Sequence, residues 1–317
     1  MTRRALVVTH LGRSEALAAT EEAIRELERA GFDLVLDSVG VDLTDVEIAV
    51  VLGGDGTILR AAELTRGTDI PLLGVNLGHV GFLAESERED IGEAIRRLAA
   101  RDYEVEERTT LDVRITVPGL AEPLHDWALN EATVEKADRS RMIEVVIEVD
   151  GRPLSTFGCD GVVMSTATGS TAHAFSAGGP VVWPDVDAML LVPLSAHALF
   201  ARPLVVGPSS VLALEVLART GAVGVLSCDG RRRTHLPVGA RVEVRRSPVP
   251  VRLARLSQAP FTDRLVSKFS LPVEGWRGLP AHHGRGAEHA PGTEHAPGTE
   301  HAPGTEHAPG TDQAREG

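Results

Sequence analysis

Val50-Val51-Leu52-Gly53-Gly54-Asp55-Gly56-Thr57 decides how this chain is read. An apolar run over 48–52 ends at two glycines. A carboxylate, a third glycine and a threonine follow, then the apolar-periodic Ile58-Leu59-Arg60-Ala61-Ala62. That order predicts a buried strand, a tight turn and a helix start. Glycines in such a turn let the backbone approach a ligand closely, and their N–H groups can converge on an anion. Asp55 is out of place in a loop built only for anions, because its charge repels phosphate. It makes sense as the acceptor of a proton from a hydroxyl about to be phosphorylated, or facing a metal. The plainer alternative is an Asp-Gly turn in which Asp55 caps the following helix. The stretch alone leaves the two level.

Working outward, 317 residues suit two domains, and 43% hydrophobic with 24% charged residues is the balance of a globular protein. The net charge is −13. Residues 281–317 carry six acids and two arginines, so −4 belongs to that stretch and −9 to the rest. An acidic body argues against nucleic acid or an anionic membrane as the main partner. An anionic substrate then needs local backbone donors, or a cation brought with it. No run of eighteen apolar residues occurs, and Met1-Thr2-Arg3-Arg4 leads straight into a strand-like segment, so neither a membrane span nor a signal peptide is expected and the cytoplasm is the simplest location. The two cysteines, Cys159 and Cys228, lack metal-ligand spacing and read as small buried residues. The only lysines are Lys136 and Lys268, neither beside a glycine-rich loop, so the phosphate-binding lysine of a P-loop is missing.

Ala5–Val8, Phe32–Leu36, the run ending at Leu52 and Pro71–Asn76 are strand candidates. Helical spacing at Ser14–Ala30, Thr57–Arg66 and Glu89–Ala100 alternates with them, which predicts a parallel, doubly wound sheet. Ligands bind past the carboxyl ends of such strands, where Gly53–Thr57 and a second glycine-rich loop, Asn76-Leu77-Gly78-His79-Val80-Gly81-Phe82, both fall. From 103 the pattern turns β-rich, with strand candidates within 103–117, 124–135 and 143–149, at 162–164, 190–192, 211–216, 223–226, 242–245 and 251–256, and turn signals at Asp150-Gly151 and Asp229-Gly230. The expectation is an α/β Rossmann-like domain over 1–102, a mostly antiparallel β-sandwich domain over 103–259, and a helix near 261–269 inside a segment, 260–278, that returns to the first domain. Residues 280–317 hold four His-Ala-Pro-Gly-Thr-Glu/Asp repeats, 289–312, which offer nothing to bury and read as a disordered low-complexity tail.

A second concentration of chemistry is Cys159-Asp160-Gly161-Val162-Val163-Met164-Ser165-Thr166-Ala167-Thr168-Gly169-Ser170-Thr171-Ala172-His173. A strand delivers small hydroxyl residues around Gly169, and a short helix follows, ended by Gly178-Gly179-Pro180. Small side chains and free amides there suit ribose hydroxyls and phosphate oxygens. A plain helix cap would need Ser170 alone. A hydrolase pair of Ser170 or Thr171 with His173 is disfavoured, since there is no G-x-S-x-G elbow and such neighbours diverge on a helix. Asn130-Glu131 is a polar pair in a strand-like run, where only one of two adjacent residues faces a cleft unless the strand ends or bulges. Cys-Asp-Gly occurs at 159–161 and 228–230, which suggests comparable turn positions for Asp160 and Asp229.

Together, Gly53–Thr57, Gly74–Phe82, Asn130-Glu131 and Asp160–His173 resemble the motif series of the NAD kinases, in the right order over roughly residues 5–275. The segments 157–184 and 193–203 resemble the actinobacterial branch. The resemblance implies a phosphotransferase that phosphorylates the adenosine-ribose 2′-hydroxyl of NAD from ATP or polyphosphate, giving NADP. It implies a phosphate-donor domain joined to a β-rich NAD-binding domain, and Mg²⁺ carried on the donor phosphates, with no protein metal site. Asp55 becomes the general base. Gly53, Gly54, Gly56 and Thr57 bind donor phosphates. Gly56, Phe82, Asn130, Glu131, Thr171, Ala172, His173 and Ser176 contact NAD. Asp160, from a neighbouring subunit, and Asp229 lie near the nicotinamide end. The resemblance also implies a homodimer or homotetramer with shared sites. Two positions depart from the family pattern: His173 stands for its tyrosine and Ala167 for its proline, which bears on NAD affinity rather than on reaction type. The competing readings are a diacylglycerol- or sphingosine-type lipid kinase, which would need an apolar acceptor pocket, and a non-catalytic NAD(P)-binding sensor, which need not keep Asp55.

Overall fold

The computed structural model describes residues 3–9, 14–38, 40–77, 81–257 and 260–273. The expected repeat tail, and Gly78, His79 and Val80 of the second glycine loop, lie outside the described residues. The chain opens with β1 (Arg3–Thr9), α1 (Ser14–Arg29), β2 (Phe32–Leu36), β3 (Val46–Leu52), α2 (Asp55–Leu64), β4 (Leu72–Asn76), the short β5 (Ser86–Glu87), a 3₁₀ turn (Arg88–Asp90) and α3 (Ile91–Ala99). Strands β2, β1, β3 and β4 pair in parallel in that spatial order. The near-continuous apolar run of β3 follows from burial on both faces. Ile48, Val50 and Leu52 pack with Ala19, Ala23 and Leu27 of α1 and with Ile91, Ile95 and Leu98 of α3. Ala49 and Val51 point the other way, onto Ile58, Leu59, Ala61 and Ala62 of α2.

The rest of the chain gives β6 (Glu104–Arg108), β7 (Leu111–Thr116), β8 (Leu124–Ala128), β9 (Glu131–Lys136), β10 (Ile143–Val149), β11 (Arg152–Cys159) and β12 (Gly161–Thr166). A 3₁₀ turn (Thr168–Thr171) and α4 (His173–Ser176) follow. Then come β13 (Met189–Leu194), β14 (Leu204–Val206), β15 (Leu212–Val216), β16 (Gly224–Cys228), β17 (Arg232–Leu236), β18 (Arg241–Arg246), β19 (Val251–Arg255) and α5 (Phe261–Phe269). Two antiparallel sheets form, β11-β10-β15-β18-β7-β8 and β14-β13-β12-β9-β16-β17. They share one core: Val113, Val145 and Leu214 of the first meet Val134, Val162, Met164 and Leu226 of the second. The period-2 alternation of β12 sends Val163 to the outer face, where Ala174 of α4 covers it.

A division of the sheets at residue 103 does not hold. Strands β19 and β6 extend the first sheet beyond β4, β19 parallel to β4 and β6 antiparallel at the edge. The strands that the sequence pattern misses are the two-residue β5 and β11, β14 and β17, the last three at sheet edges. Edge strands are half-solvated, so Arg232-Arg233-Thr234-His235-Leu236 carries little apolar signal. Helix α5 packs against Phe82, which lies 5.9 Å from Phe261 and 5.8 Å from Phe269, centroid to centroid, and against Phe175 and Trp183. Among the described residues no helix is long and apolar enough to cross a membrane.

Candidate active site

The turn after β3 is built as a glycine device. The Gly53 amide donates to Val75 O at 2.9 Å, and a Cβ on Gly53 would sit 2.3 Å from Thr57 Oγ1. Thr57 is therefore tucked under the turn, 6% exposed, while Gly54 and Gly56 are exposed. Gly54 precedes α2 in extended conformation, and no side chain caps the helix. Asp55 is not the cap: it is the first helical residue. Its carboxylate accepts the amides of Phe82 at 3.2 Å and Leu83 at 3.1 Å. The second glycine loop thus holds the acid of the first, and a Cβ on Gly81 would come within 2.5 Å of Asp55 Oδ1. Phe82 itself is 7% exposed, its ring facing α5.

Asn130-Glu131 escapes the opposite-faces problem because the strand breaks. β8 ends at Ala128 and β9 begins at Glu131. Leu129, in between, is buried in the cluster that contains Ile58 and Leu59, which sets this break against α2. The Asp229 carboxylate fastens the break, accepting the amides of Leu129 at 2.9 Å, Asn130 at 2.7 Å and Glu131 at 3.3 Å. Its side chain is 1% exposed and pairs with Arg232 at 3.4 Å. Asp229 is thus an organiser behind the site, not a surface for a ligand. Its left-handed backbone, φ 51°, belongs to the Asp-Gly turn. Asp160 does not share that geometry. It precedes β12, is 39% exposed at its side chain, and binds Lys136 Nζ at 2.6 Å, which holds its carboxyl below the usual range. It also stands at the far end of β12 from Thr171, a strand length of roughly 20 Å.

The hydroxyl-rich cluster proves largely to be scaffolding. Ser165, Thr166 and Ser170 are fully buried. Ser165 Oγ donates to Asn130 O at 3.0 Å, Thr166 Oγ1 to Leu129 O at 2.7 Å, and Ser170 Oγ to Val182 O at 3.2 Å. Gly169 is obligatory, since its Cβ would fall 2.1 Å from Asn130 O. Residue type alone could not tell a hydroxyl that faces a ligand from one that holds a turn. Thr171, Ala172 and His173 remain half-buried and Ser176 exposed. His173 Nδ1 lies 3.5 Å from Thr133 Oγ1.

Glu131 is 7% exposed, and its Oε2 has no hydrogen-bond partner. Burial and then the Asp229 charge push its carboxyl up to about 8, against one amide hydrogen bond from His173. Burial raises Asp229 too, and three amides and Arg232 offset it only in part, so its carboxyl stays above the usual range.

An ion-pair chain that no motif signals ties α5 to the Asp55 clamp. Glu85, with a fully buried side chain, binds Arg255 at 2.9 Å and Arg264 at 2.7 Å, and Arg264 also donates to the carbonyls of Phe82 and Ala84. A cleft of about 460 Å³ opens beside it between Arg108, Arg255, Arg264, Trp183 and Phe261. Its guanidinium groups are already paired with Glu85 and Glu106. On the other side Arg66 and Arg232 stack on Trp127 at 4.3 and 4.9 Å, and Arg232 reaches Glu63 of α2. Among the described residues no group of three or more His, Cys, Asp or Glu is placed to hold a metal.

Comparison with known proteins fits this geometry. The ATP-NAD kinase N-terminal domain matches residues 6–103 and the ATP-NAD kinase C-terminal domain matches 129–256. An NAD kinase of Leifsonia xyli subsp. xyli is 62% identical over 87% of this chain and 97% of its own. One of Thermobifida fusca is 56% identical over 90% and 94%. Among solved structures, an Archaeoglobus fulgidus NAD kinase in complex with ATP superposes with a TM-score of 0.66 at 27% identity, covering 84% of this chain and 98% of that one. A yeast NADH kinase complexed with NADH shares the fold, with a TM-score of 0.78 at 21% identity over 87% and 90%. With both family domains matched and relatives more than half identical along nearly their whole length, this chain belongs to the NAD kinase family.

Proposed function

We propose that this NAD kinase transfers the terminal phosphoryl group of ATP to the 2′-hydroxyl of the NAD adenosine ribose, with Asp55 as the general base. The observation that carries the assignment is the Asp55 carboxylate, fixed at the start of an uncapped helix by the amides of Phe82 and Leu83. Phosphoryl transfer goes through a loose transition state, so the protein mainly positions groups and offsets charge. The exposed Gly54 and Gly56 and the open first turn of α2 suit the donor phosphates. Thr57 supports that turn from beneath. Mg²⁺ arrives on the donor and supplies positive charge that an acidic chain lacks. Asn130, Glu131, Thr171, Ala172, His173 and Ser176 form the adenosine side. Asp55 takes the hydroxyl proton as the new P–O bond forms.

The reading includes a homodimer or homotetramer in which Asp160 serves a neighbour's ligand. Its separation from Thr171 along β12 favours this, as do the exposed Leu199 and Phe200. Two unpaired, buried cysteines accord with a cytoplasmic setting.

The test is a panel on purified protein: ATP or inorganic polyphosphate, with or without Mg²⁺, against NAD, NADH and a diacylglycerol, with product identified. NADP formed from ATP only with the divalent ion present is expected. NAD binding without turnover, or a labelled lipid product, would sink the proposal.

A further inference from the structure

Among the described residues only two buried side-chain polar atoms lack a partner, Arg108 Nε and Glu131 Oε2. The Arg108 charge is met by Glu106 at 3.0 Å. Glu131 has no such answer. The charge that acts on it is that of another buried carboxylate, Asp229, and the His173 amide is a donor to it. Asp229 takes three amides and the Arg232 guanidinium, and Arg66 adds positive charge toward Asp229. The His173 ring faces Thr133. Two adjacent buried carboxylates do not both ionise when only one is compensated, and the uncompensated one keeps its proton.

We propose that Glu131 stands as a neutral carboxylic acid in the free enzyme and presents its O–H to an acceptor atom of the NAD adenosine, with the Asp229 carboxylate, held by three amides and Arg232, behind it. This rests on the reading of Asn130-Glu131 as an adenosine contact. It inverts the usual role of a glutamate at a ribose, which accepts from hydroxyls. Because the Glu131 carboxyl is lifted to about 8, the donor is present at neutral pH and is lost above that value. NAD recognition therefore acquires an alkaline limit with Glu131 as its source.

The test measures kcat/KM for NAD between about pH 6 and about pH 9.5, which reports groups of the free enzyme. Three proteins are compared: wild type, Glu131→Gln and Glu131→Ala. Wild type should fall above about pH 8. Glu131→Gln, whose amide still donates, should lose about threefold at neutral pH but show no alkaline fall, whereas Glu131→Ala should lose about tenfold or more. Calorimetry of NAD binding to wild type in two buffers of different ionisation enthalpy, at about pH 9, needs no variant to fold. It should show net proton uptake. A flat wild-type profile, absence of proton uptake, or Gln as impaired as Ala would overturn the neutral-acid assignment. Failure of the enzyme reading looks different: no NADP from any protein at any pH.

Discussion

Gly81→Ala should slow catalysis by moving Asp55 while leaving its carboxylate chemically intact. The new Cβ would lie 2.5 Å from Asp55 Oδ1 and 3.1 Å from Cγ, where ordinary contact is 3.4–4 Å. The carboxylate must then withdraw by about 1 Å, and a displacement of that size at a reacting group costs roughly 10²-fold. The amide bonds to Phe82 and Leu83, already 3.2 and 3.1 Å long, would not survive the move. Initial rates of NADP formation with saturating ATP and Mg²⁺ should show kcat down about 10²-fold, with KM for NAD little changed, because the adenosine side is untouched. Asp55→Asn should lose about 10²–10⁴-fold, the usual worth of a general base. The two changes act through one group, so the double variant should be no slower than Asp55→Asn. A Gly81→Ala enzyme with wild-type kcat, or a double variant slower by the product of the two effects, would refute the idea that this glycine places the base.

Ala167→Pro restores the residue type that the resemblance implies. Ala167 already sits at φ −57°, within proline's range, so the change should raise stability by about 0.4–1 kcal/mol, read as a higher melting temperature. Glu85→Ala leaves Arg255 and Arg264 without their shared partner and should destabilise by about 3–5 kcal/mol in denaturant titration. Burial pushes Glu85 up, but Arg255, the Ser257 amide and Arg264 outweigh it and hold it below the usual carboxylate range. Its folded value being depressed, its stabilisation is complete above the unfolded value and fades as pH falls through the folded one, so the wild-type advantage over Glu85→Ala should shrink in acid. His173→Tyr supplies the ring the family pattern carries and should lower KM for NAD with kcat unchanged.

Periodicity and glycine placement fixed the elements whose burial is one- or two-sided. The runs at β3 and β4, the amphipathic α1, α2 and α3, and α5 at Phe261–Phe269 are legible because a buried face forces a repeat. The glycine loops were legible because they need backbone where side chains would clash, as Gly53 against Thr57 and Gly169 against Asn130 O show. Sequence could not reveal the edge strands β11, β14 and β17, where half-solvated positions erase the pattern, nor the entry of β6 and β19 into the first sheet, since pairing partners lie far apart in the chain. It also could not sort the site's polar residues. Ser165, Thr166 and Asp229 look like ligand contacts in one dimension. Only folding turns them toward the backbone at the strand break 129–131, because buried amides and carbonyls there must find partners. The order of motifs named the chemistry; the tertiary structure decided which carboxylate is held at the glycine turn, which is locked into the strand break, and which has a buried oxygen without a partner.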